Sequence, residues 1–153
     1  MLLEKLTTAQ IEWSEEGYPS SYLYQDRYFS LESIRESQHV FINGNQLKHQ
    51  WQHYQGTEFN LLETGFGSGL NFLLTFEFWK KQIDNGYLNQ TQLQYFSIES
   101  SPISKSDLKT MVQLWPKYST TAKLLIDQLP QPIPGRHLLK FHYKQQSFHL
   151  YLL

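Results

Sequence analysis

Two carboxylates and a glycine-rich turn are the residues whose types and spacing could form a ligand site. Glu63 follows the apolar segment 59–62, and a turn with a glycine at every second position leads into the apolar segment 70–74. Glycines let a backbone turn sharply and approach a ligand closely, and a helix starting there directs free N–H groups and partial positive charge at it. This order predicts strand, turn and helix around a nucleotide-type cofactor. The candidate contacts are Glu63, Thr64, Gly65, Phe66, Gly67, Ser68 and Gly69.

The spacing of the glycines distinguishes between cofactor classes. The dinucleotide fingerprint has glycines at the first, third and sixth positions of its loop, whereas here the sixth position is Leu70. The lysine and hydroxyl residue that complete a phosphate-binding P-loop are also missing from this turn. The pattern E-x-G-x-G-x-G instead resembles motif I of the class I methyltransferases, which use S-adenosylmethionine. A glycine turn without a ligand and an NAD-type oxidoreductase remain the alternatives.

A second acid, Glu99, ends the apolar segment 93–98, which we interpret as the next strand. In nucleotide-binding βαβ units an acid at this position accepts hydrogen bonds from ribose hydroxyls, and a solvated strand-end carboxylate is the alternative. A helix over 70–83, apolar on most of its surface and followed by Asp84-Asn85-Gly86, joins the two strands. We therefore predict an α/β fold with a mainly parallel sheet in three layers, in which the two acids end neighbouring strands.

Turn signals predict hairpins on both sides of this unit. Asn43-Gly44, within 39–51, predicts two short strands joined by a tight turn. The last arm of the chain is expected to pair beyond the strand that ends at Glu99. The remaining predicted elements are an irregular or hairpin lead-in over the first thirty-odd residues, a helix that starts at a capping box over 104–107 and ends before Pro116, a helix over 120–129, and a final hairpin with arms at 137–143 and 148–153.

The resemblance to methyltransferases extends over nearly the whole chain. Six short blocks in order resemble the N-terminal methyltransferase domain of the MnmC family, the bifunctional tRNA-modifying enzymes: residues 26–30, 40–47, 63–72, 96–99, 114–116 and 132–137. The resemblance implies a partial class I (Rossmann-like) fold. It also implies transfer of a methyl group from S-adenosylmethionine to the amine of 5-aminomethyl-2-thiouridine at the tRNA wobble position, U34.

The resemblance adds further expectations about residues and domains. Tyr28, Ser30 and Asn45 are possible cofactor contacts, with a packed extension and a turn residue as the structural alternatives. Many family members carry a separate FAD-dependent domain, and nothing in this sequence corresponds to it. We predict one domain over 1–153, with a lead-in over 1–55 and a cofactor-binding half over 56–153.

The sequence also departs from the family pattern. The family continues past the point that matches Leu153 with a Gly-Asp, an Asp-Gly-Phe-Ala-Pro segment and further strands. The chain is therefore expected to be a C-terminally truncated copy that binds S-adenosylmethionine weakly and does not methylate; its catalytic residues are unknown, and a non-catalytic binding module is a third interpretation. Leu61 and Leu62 would lie on an open sheet edge, which favours self-association.

The amino-acid composition limits which binding partners and which cellular compartment are expected. A net charge of −1 and a pI near 6.6 give no basic footprint for nucleic acid, so a tRNA partner follows from the resemblance alone. The absence of cysteine excludes disulfides and cysteine-bound metal, and a cytoplasmic location without a membrane span is expected. His49 and His53 would need a third zinc ligand, and we expect them in a strand and loop without metal.

Overall fold

The fold is built on a four-stranded sheet, in which the strands lie in the order Glu58–Thr64 (β3), Gln92–Ile98 (β4), Gln146–Leu152 (β6) and His137–Tyr143 (β5). The computed structural model describes residues 4–30, 32–88 and 91–153. Strand β4 pairs in parallel with β3 on one side and with β6 on the other, and β5 is antiparallel to β6. This mixed, mostly parallel sheet with flanking helices confirms the predicted α/β class. The strands are β1 Ile11–Trp13, β2 Pro19–Ser21, β3 Glu58–Thr64, β4 Gln92–Ile98, β5 His137–Tyr143 and β6 Gln146–Leu152.

Helices connect these strands and include two short 3₁₀ turns and one π-helix. The helices are α1 Ser33–Ser37, the π-helix Gln38–Asn43, α2 Leu47–His53, α3 Leu70–Asp84, α4 Lys105–Met111, the 3₁₀ turns Val112–Leu114 and Pro116–Tyr118, and α5 Ser119–Gln128. In the part of the chain that the structure describes, no helix is both long and apolar enough to cross a membrane.

Helix α3 packs its aromatic residues against one face of the sheet. Phe72 is completely buried, and its ring lies 5.4 Å from that of Phe148 on β6 and 5.8 Å from that of Tyr95 on β4. Phe76 and Trp79 continue the same contact, with ring centroids 5.3 and 5.4 Å from Phe148. Because these rings sit three or four residues apart, they share one side of the helix. Their burial fixes α3 across the sheet and so fixes the turn that precedes it.

The predicted hairpin over 39–51 is wrong, because this region is helical. Gly44 has a right-handed φ of −60°, and Gln46 takes the left-handed conformation instead. Leu47 and Trp51, one helical turn apart, are both buried, and the Trp51 ring stacks on Phe78 of α3 at 5.4 Å. Asn-Gly prefers a tight turn, but the free energy of that local preference is small. Burying the tryptophan side chain removes a large apolar area from water and stabilises the helix by more.

The expectation that His49 and His53 lie in a strand and loop is wrong for the same reason. Both residues lie on α2, with ring centroids 4.5 Å apart, and the His53 ring bonds to the His49 carbonyl oxygen. Among residues 4–30, 32–88 and 91–153, no group of three metal-ligating side chains comes together.

Other local predictions agree with the structure. β1 and β2 form an antiparallel lead-in hairpin, and α3 ends one residue later than the predicted position. The backbone N–H of Asp107 donates to Ser104 Oγ over 3.1 Å, as expected for a capping residue at the start of α4. β6 pairs beyond β4 as expected, and the final hairpin turns at Lys144, which has a φ of 52°.

The second face of the sheet carries an exposed apolar row. Leu62, Phe96, Tyr151 and Leu138 are direct cross-strand neighbours, one from each strand. Leu62 is 64% exposed and Leu138 is 44% exposed. Strands of parallel sheets are usually covered on both faces, so the expected three-layer arrangement is not complete within the described residues. β3 is also an edge strand there, with β4 as its neighbour in the sheet.

Candidate functional site

The turn between β3 and α3 is built on glycines with left-handed backbone conformations. Gly67 has a φ of 52° and Gly69 a φ of 75°. A Cβ atom at Gly69 would lie 3.0 Å from the Phe66 ring and 3.1 Å from Leu125 Cδ2, so the position also lacks room for a side chain. The turn is therefore held close to the core at the carboxyl end of β3. The N–H groups of Gly65 and Gly69 donate to the carbonyl oxygens of Ile98 and Phe66, which fixes the turn further.

Glu99 bridges the glycine turn and the loop after β4. Its Oε2 accepts a hydrogen bond from the Gly67 N–H over 3.0 Å, and its Oε1 accepts one from the Ser101 N–H over 2.8 Å. A carboxylate offers about four lone-pair positions. Two hydrogen bonds to the backbone therefore leave acceptor capacity for hydroxyl groups of a ligand.

Glu63 is buried beneath the turn and has a different environment. Ser97 Oγ donates to its Oε1 over 2.8 Å, and Asn71 Nδ2 donates to its Oε2 over 3.2 Å. Burial raises the pKa of Glu63 from 4.5 to about 7, against the lowering effect of these hydrogen bonds. Tyr95 lies close by, and burial followed by the Glu63 charge raises the pKa of its hydroxyl well above its usual value. Glu63 thus connects β3, β4 and α3 within the protein interior.

Two cavities meet at the turn. The first, about 490 Å³, is walled largely by apolar groups, among them Pro102, Ile103 and the segment 129–135. The second, about 600 Å³, is more polar and lies between the turn and the segments 24–28 and 33–37. The residues common to both linings are Phe66, Gly67 and Glu99. One elongated ligand with an apolar end and a polar end could therefore occupy both cavities by passing over Gly67 and Glu99.

Sequence comparison connects this site with a known group of proteins. The chain is 38% identical over 151 residues to the "tRNA 5-methylaminomethyl-2-thiouridine biosynthesis bifunctional protein MnmC" of Legionella pneumophila (strain Corby), an alignment that covers 96% of this chain. This chain is a homologue of one segment of MnmC. The protein of the same name from Methylobacillus flagellatus is 38% identical over 142 residues, and that from Aliivibrio fischeri is 37% identical over 137.

The match to MnmC covers only part of those proteins. The chain spans 22% of the length of the Legionella MnmC and 21% of that of the Methylobacillus MnmC. A solved structure titled MNMC2 from Aquifex aeolicus superimposes with a TM-score of 0.55 at 16% sequence identity, over 95% of this chain and 43% of that one. At this identity the likeness shows the shared fold alone. No protein-family model matches the chain.

The structure brings most of the predicted contact residues to the cavities. Those that line one or both are Thr64, Gly65, Phe66, Gly67, Ser68 and Glu99. Glu63 and Gly69 line neither, because Glu63 is buried below the turn and Gly69 packs against Phe66 and Leu125. Their expected direct contact with a ligand has no support in this geometry.

The three residues suggested by the MnmC resemblance lie in different places. Tyr28 lines the second cavity, and its ring atoms would lie 3.6 Å from a Cβ atom at Gly67. Ser30 lines neither cavity, and its carbonyl oxygen accepts hydrogen bonds from Ser33. Asn45 also lines neither, and its Nδ2 donates to the Phe41 carbonyl oxygen over 2.8 Å. Of the three, only Tyr28 is at the candidate site.

Several lining residues were not predicted from the sequence. Asn71 is close enough to the helix start to have been suspected, since it follows the last glycine by two residues. Arg27 and Glu36 come from the lead-in segment, and Pro102 and Ile103 come from the loop after Glu99. No local pattern marks these four residues, because tertiary packing alone brings their segments to the turn.

The burial of Glu63 predicts a pH-dependent stability. Between pH 4.5 and about 7 the folded chain retains a proton on Glu63 that the unfolded chain has released. Stability therefore falls as the pH rises through this window, by about 3 kcal/mol at most. Glu63→Gln, which carries no charge at any pH, should lose this component. Urea unfolding at about pH 5 and about pH 8 measures it.

Glu58→Gln is the matched control, because Glu58 is an exposed carboxylate on the same strand. It should retain the wild-type dependence on pH. If Glu63→Gln keeps the full dependence as well, another group is responsible and the role given to Glu63 is wrong.

Proposed function

We propose that this chain forms the S-adenosylmethionine-binding part of a methyltransferase that modifies the wobble uridine of tRNA. The observation that carries the proposal is the junction of an apolar and a polar cavity at Gly67 and Glu99. The relatives supply the substrate class, since they are named as proteins of tRNA 5-methylaminomethyl-2-thiouridine biosynthesis.

The chemistry of the two cavities fits the two ends of this methyl donor. An adenine ring suits the apolar walls at Pro102 and Ile103, where apolar contact with the faces of the ring replaces water. The ribose hydroxyls suit the remaining acceptor positions of Glu99. An amino-acid end suits the polar cavity beside Ser68 and Asn71. This assignment of the ends follows from polarity and is part of the proposal.

The protein's own contribution would be mainly positioning. A bound sulfonium donor supplies an electrophilic methyl group, so the acceptor amine has to be held in line with it and kept unprotonated. The second cavity has Asp26, Glu36 and Glu99 among its lining residues. Glu99 is engaged by the backbone, and Asp26 Oδ1 accepts from the Arg27 N–H over 2.8 Å. No catalytic residue is assigned among them.

We also infer that residues 1–55 and 56–153 form one domain. Trp51 packs on Phe59 of β3 with ring centroids 6.0 Å apart, and on Phe78 of α3. Tyr28 from the same lead-in region lies against the glycine turn. The lead-in therefore contributes both to the core and to the wall of the candidate site.

Ligand titration tests the proposed cofactor. We expect the purified chain to bind S-adenosylmethionine in isothermal titration calorimetry and to bind NAD more weakly or not at all. Glu99→Gln should weaken S-adenosylmethionine binding roughly 10- to 100-fold, because a hydrogen bond to a charged group contributes about 1.5–3 kcal/mol. Glu58→Gln, with its exposed carboxylate, should bind as the wild type does.

Thermal melts of each variant separate loss of binding from loss of folding. Tighter binding of NAD than of S-adenosylmethionine would favour the dinucleotide alternative over the methyl donor. A folded Glu99→Gln variant with an unchanged dissociation constant would place the ligand elsewhere and contradict the proposed site.

The exposed edge and apolar row lead to a second part of the proposal, self-association. We infer that copies of this chain associate through β3 and the row Leu62, Phe96, Tyr151 and Leu138, since an uncovered edge strand and apolar sheet face favour pairing. Leu62→Glu should shift the mass measured by light scattering on a sizing column towards the monomer. Leu124→Glu is the control, because Leu124 is also an exposed leucine but lies on α5, outside the apolar row.

A wild-type chain that stays monomeric at high concentration would rule out this association. The same would follow if Leu62→Glu and Leu124→Glu changed the mass to the same extent, since the effect would then come from added charge alone.

A further inference from the structure

We propose that the turn Tyr22–Tyr24, hereafter the aromatic turn, stacks against an unpaired base of the substrate RNA at the mouth of the second cavity. This inference rests on the proposed function and identifies the surface that would receive the tRNA. The inference is based on two observations: the aromatic turn is exposed, and its last residue, Tyr24, lines the cavity beside the glycine turn.

The aromatic turn exposes three consecutive large apolar side chains. Tyr22 is 55% exposed, Leu23 is 70% exposed and Tyr24 is 65% exposed. Single exposed apolar residues are ordinary in soluble proteins. Three in a row concentrate exposed apolar surface on one turn, and apolar surface at the edge of a cavity is typical of binding sites. Because none of the three contributes much to the core, the folded chain gains little from their size.

Backbone and side-chain hydrogen bonds hold the aromatic turn in place. Buried Ser21 donates its N–H to the Asp26 carbonyl oxygen over 2.7 Å, and its own carbonyl oxygen accepts from the Gln25 N–H over 3.0 Å. Ser21 Oγ also accepts from the Tyr24 N–H over 3.1 Å. The turn is thus closed at both ends around Ser21. A surface fixed before binding loses less conformational entropy when a partner docks.

The segment after the aromatic turn leads directly to the candidate methyl-donor site. Tyr24, Arg27 and Tyr28 all line the second cavity, and Tyr28 reaches the glycine turn at Gly67. A base that stacks on Tyr24 would therefore lie on the solvent side of the same cavity in which we place the methyl donor. An acceptor nucleotide, or the nucleotide next to it, enters from that side.

The chemistry of the aromatic turn selects for unpaired RNA. Unstacked bases of RNA loops are recognised by stacking on aromatic side chains, and every base has a face that allows it. Arg27 supplies a cation for a phosphate oxygen. Asp26, Glu36 and Glu99 line the same cavity, so carboxylates outnumber cations among its lining residues and charge gives the RNA backbone little attraction. Stacking would then contribute more to affinity than charge, which predicts a weak dependence of binding on salt.

Fluorescence anisotropy with a labelled RNA hairpin tests the inference. The probe carries a uridine at the wobble position of an anticodon loop, and a duplex of the same composition is the comparison. We expect the chain to bind the hairpin more tightly than the duplex. Tyr24→Ala should weaken hairpin binding roughly tenfold or more, and Tyr24→Phe, which keeps the ring, should stay within about threefold of the wild type. Tyr87→Ala, at an exposed tyrosine elsewhere, should change nothing.

The outcomes separate this inference from the proposed function. Tyr22→Ala is expected to weaken hairpin binding and to leave S-adenosylmethionine binding unchanged, since Tyr22 belongs to the aromatic turn but lines neither of the two cavities. If the wild type binds S-adenosylmethionine but Tyr24→Ala binds the hairpin as well as the wild type does, the inference is wrong and the proposed function stands. Equal binding of hairpin and duplex, an equal loss in Tyr24→Phe, or no hairpin binding at all would also overturn it. Failure to bind S-adenosylmethionine instead contradicts the proposed function.

Discussion

The hydrogen bond from the Gly67 N–H to the Glu99 carboxylate is the contact on which the candidate site depends. It joins two loops whose residues are 32 positions apart in the chain. Parallel pairing of β3 and β4 makes it possible, because both strands end at the same edge of the sheet. The same carboxylate holds Ser101, so the loop that leads to Pro102 and Ile103 depends on it as well. One side chain therefore sets the position of the floor shared by both cavities.

The two carboxylates of the site act in different environments and at different depths. Glu99 lies at the surface of the cavities and accepts from the backbone, which suits a charged acceptor. Glu63 lies below, where Ser97 and Asn71 are its donors and burial favours the neutral form. Its hydrogen bonds connect β4 and the first turn of α3 to β3. The sequence pattern of an acid before a glycine turn is thus explained here by support of the turn from beneath.

The sequence predicts the secondary structure correctly where the local pattern and the tertiary packing favour the same element. The unit from β3 through α3 to β4 was predicted almost to the residue, because apolar runs, glycines and a helix-ending Asp84-Asn85-Gly86 all favour the same structure. Asn43-Gly44 locally favours a tight turn, but the region is helical. Packing of Trp51 against Phe78 contributes more to the free energy of folding than a tight turn would. The stretch had no alternating apolar pattern, which was evidence against strands.

The walls of the site were beyond sequence reasoning for a different reason. Arg27 and Glu36 come from the lead-in, and the first cavity uses the proline-rich segment 130–135, which a backbone hydrogen bond from Leu6 to Pro132 ties to the N-terminal region. These segments are far apart in the sequence, and the tertiary fold brings them together at the turn. No periodicity or motif within these segments indicates that they are in contact. A single sequence therefore identifies the glycine turn and Glu99 but not the other residues that line the cavities.

Within the described residues, β3 is an edge strand that connects the candidate site with the exposed apolar row of the sheet. Leu62 and Glu63 are adjacent on β3, so the strand exposes a leucine on one face and buries the supporting carboxylate on the other. A strand paired on one side only is held less firmly than a central strand. Polypeptide that packed on the row at Leu62 would bind only the ordered form of β3 and would thereby stabilise the turn at its end. Because such coupling is reciprocal, a ligand that orders the glycine turn would strengthen association at the row by the same factor. Because the glycine turn follows an edge strand, the proposed cofactor binding and the proposed association would be parts of one equilibrium.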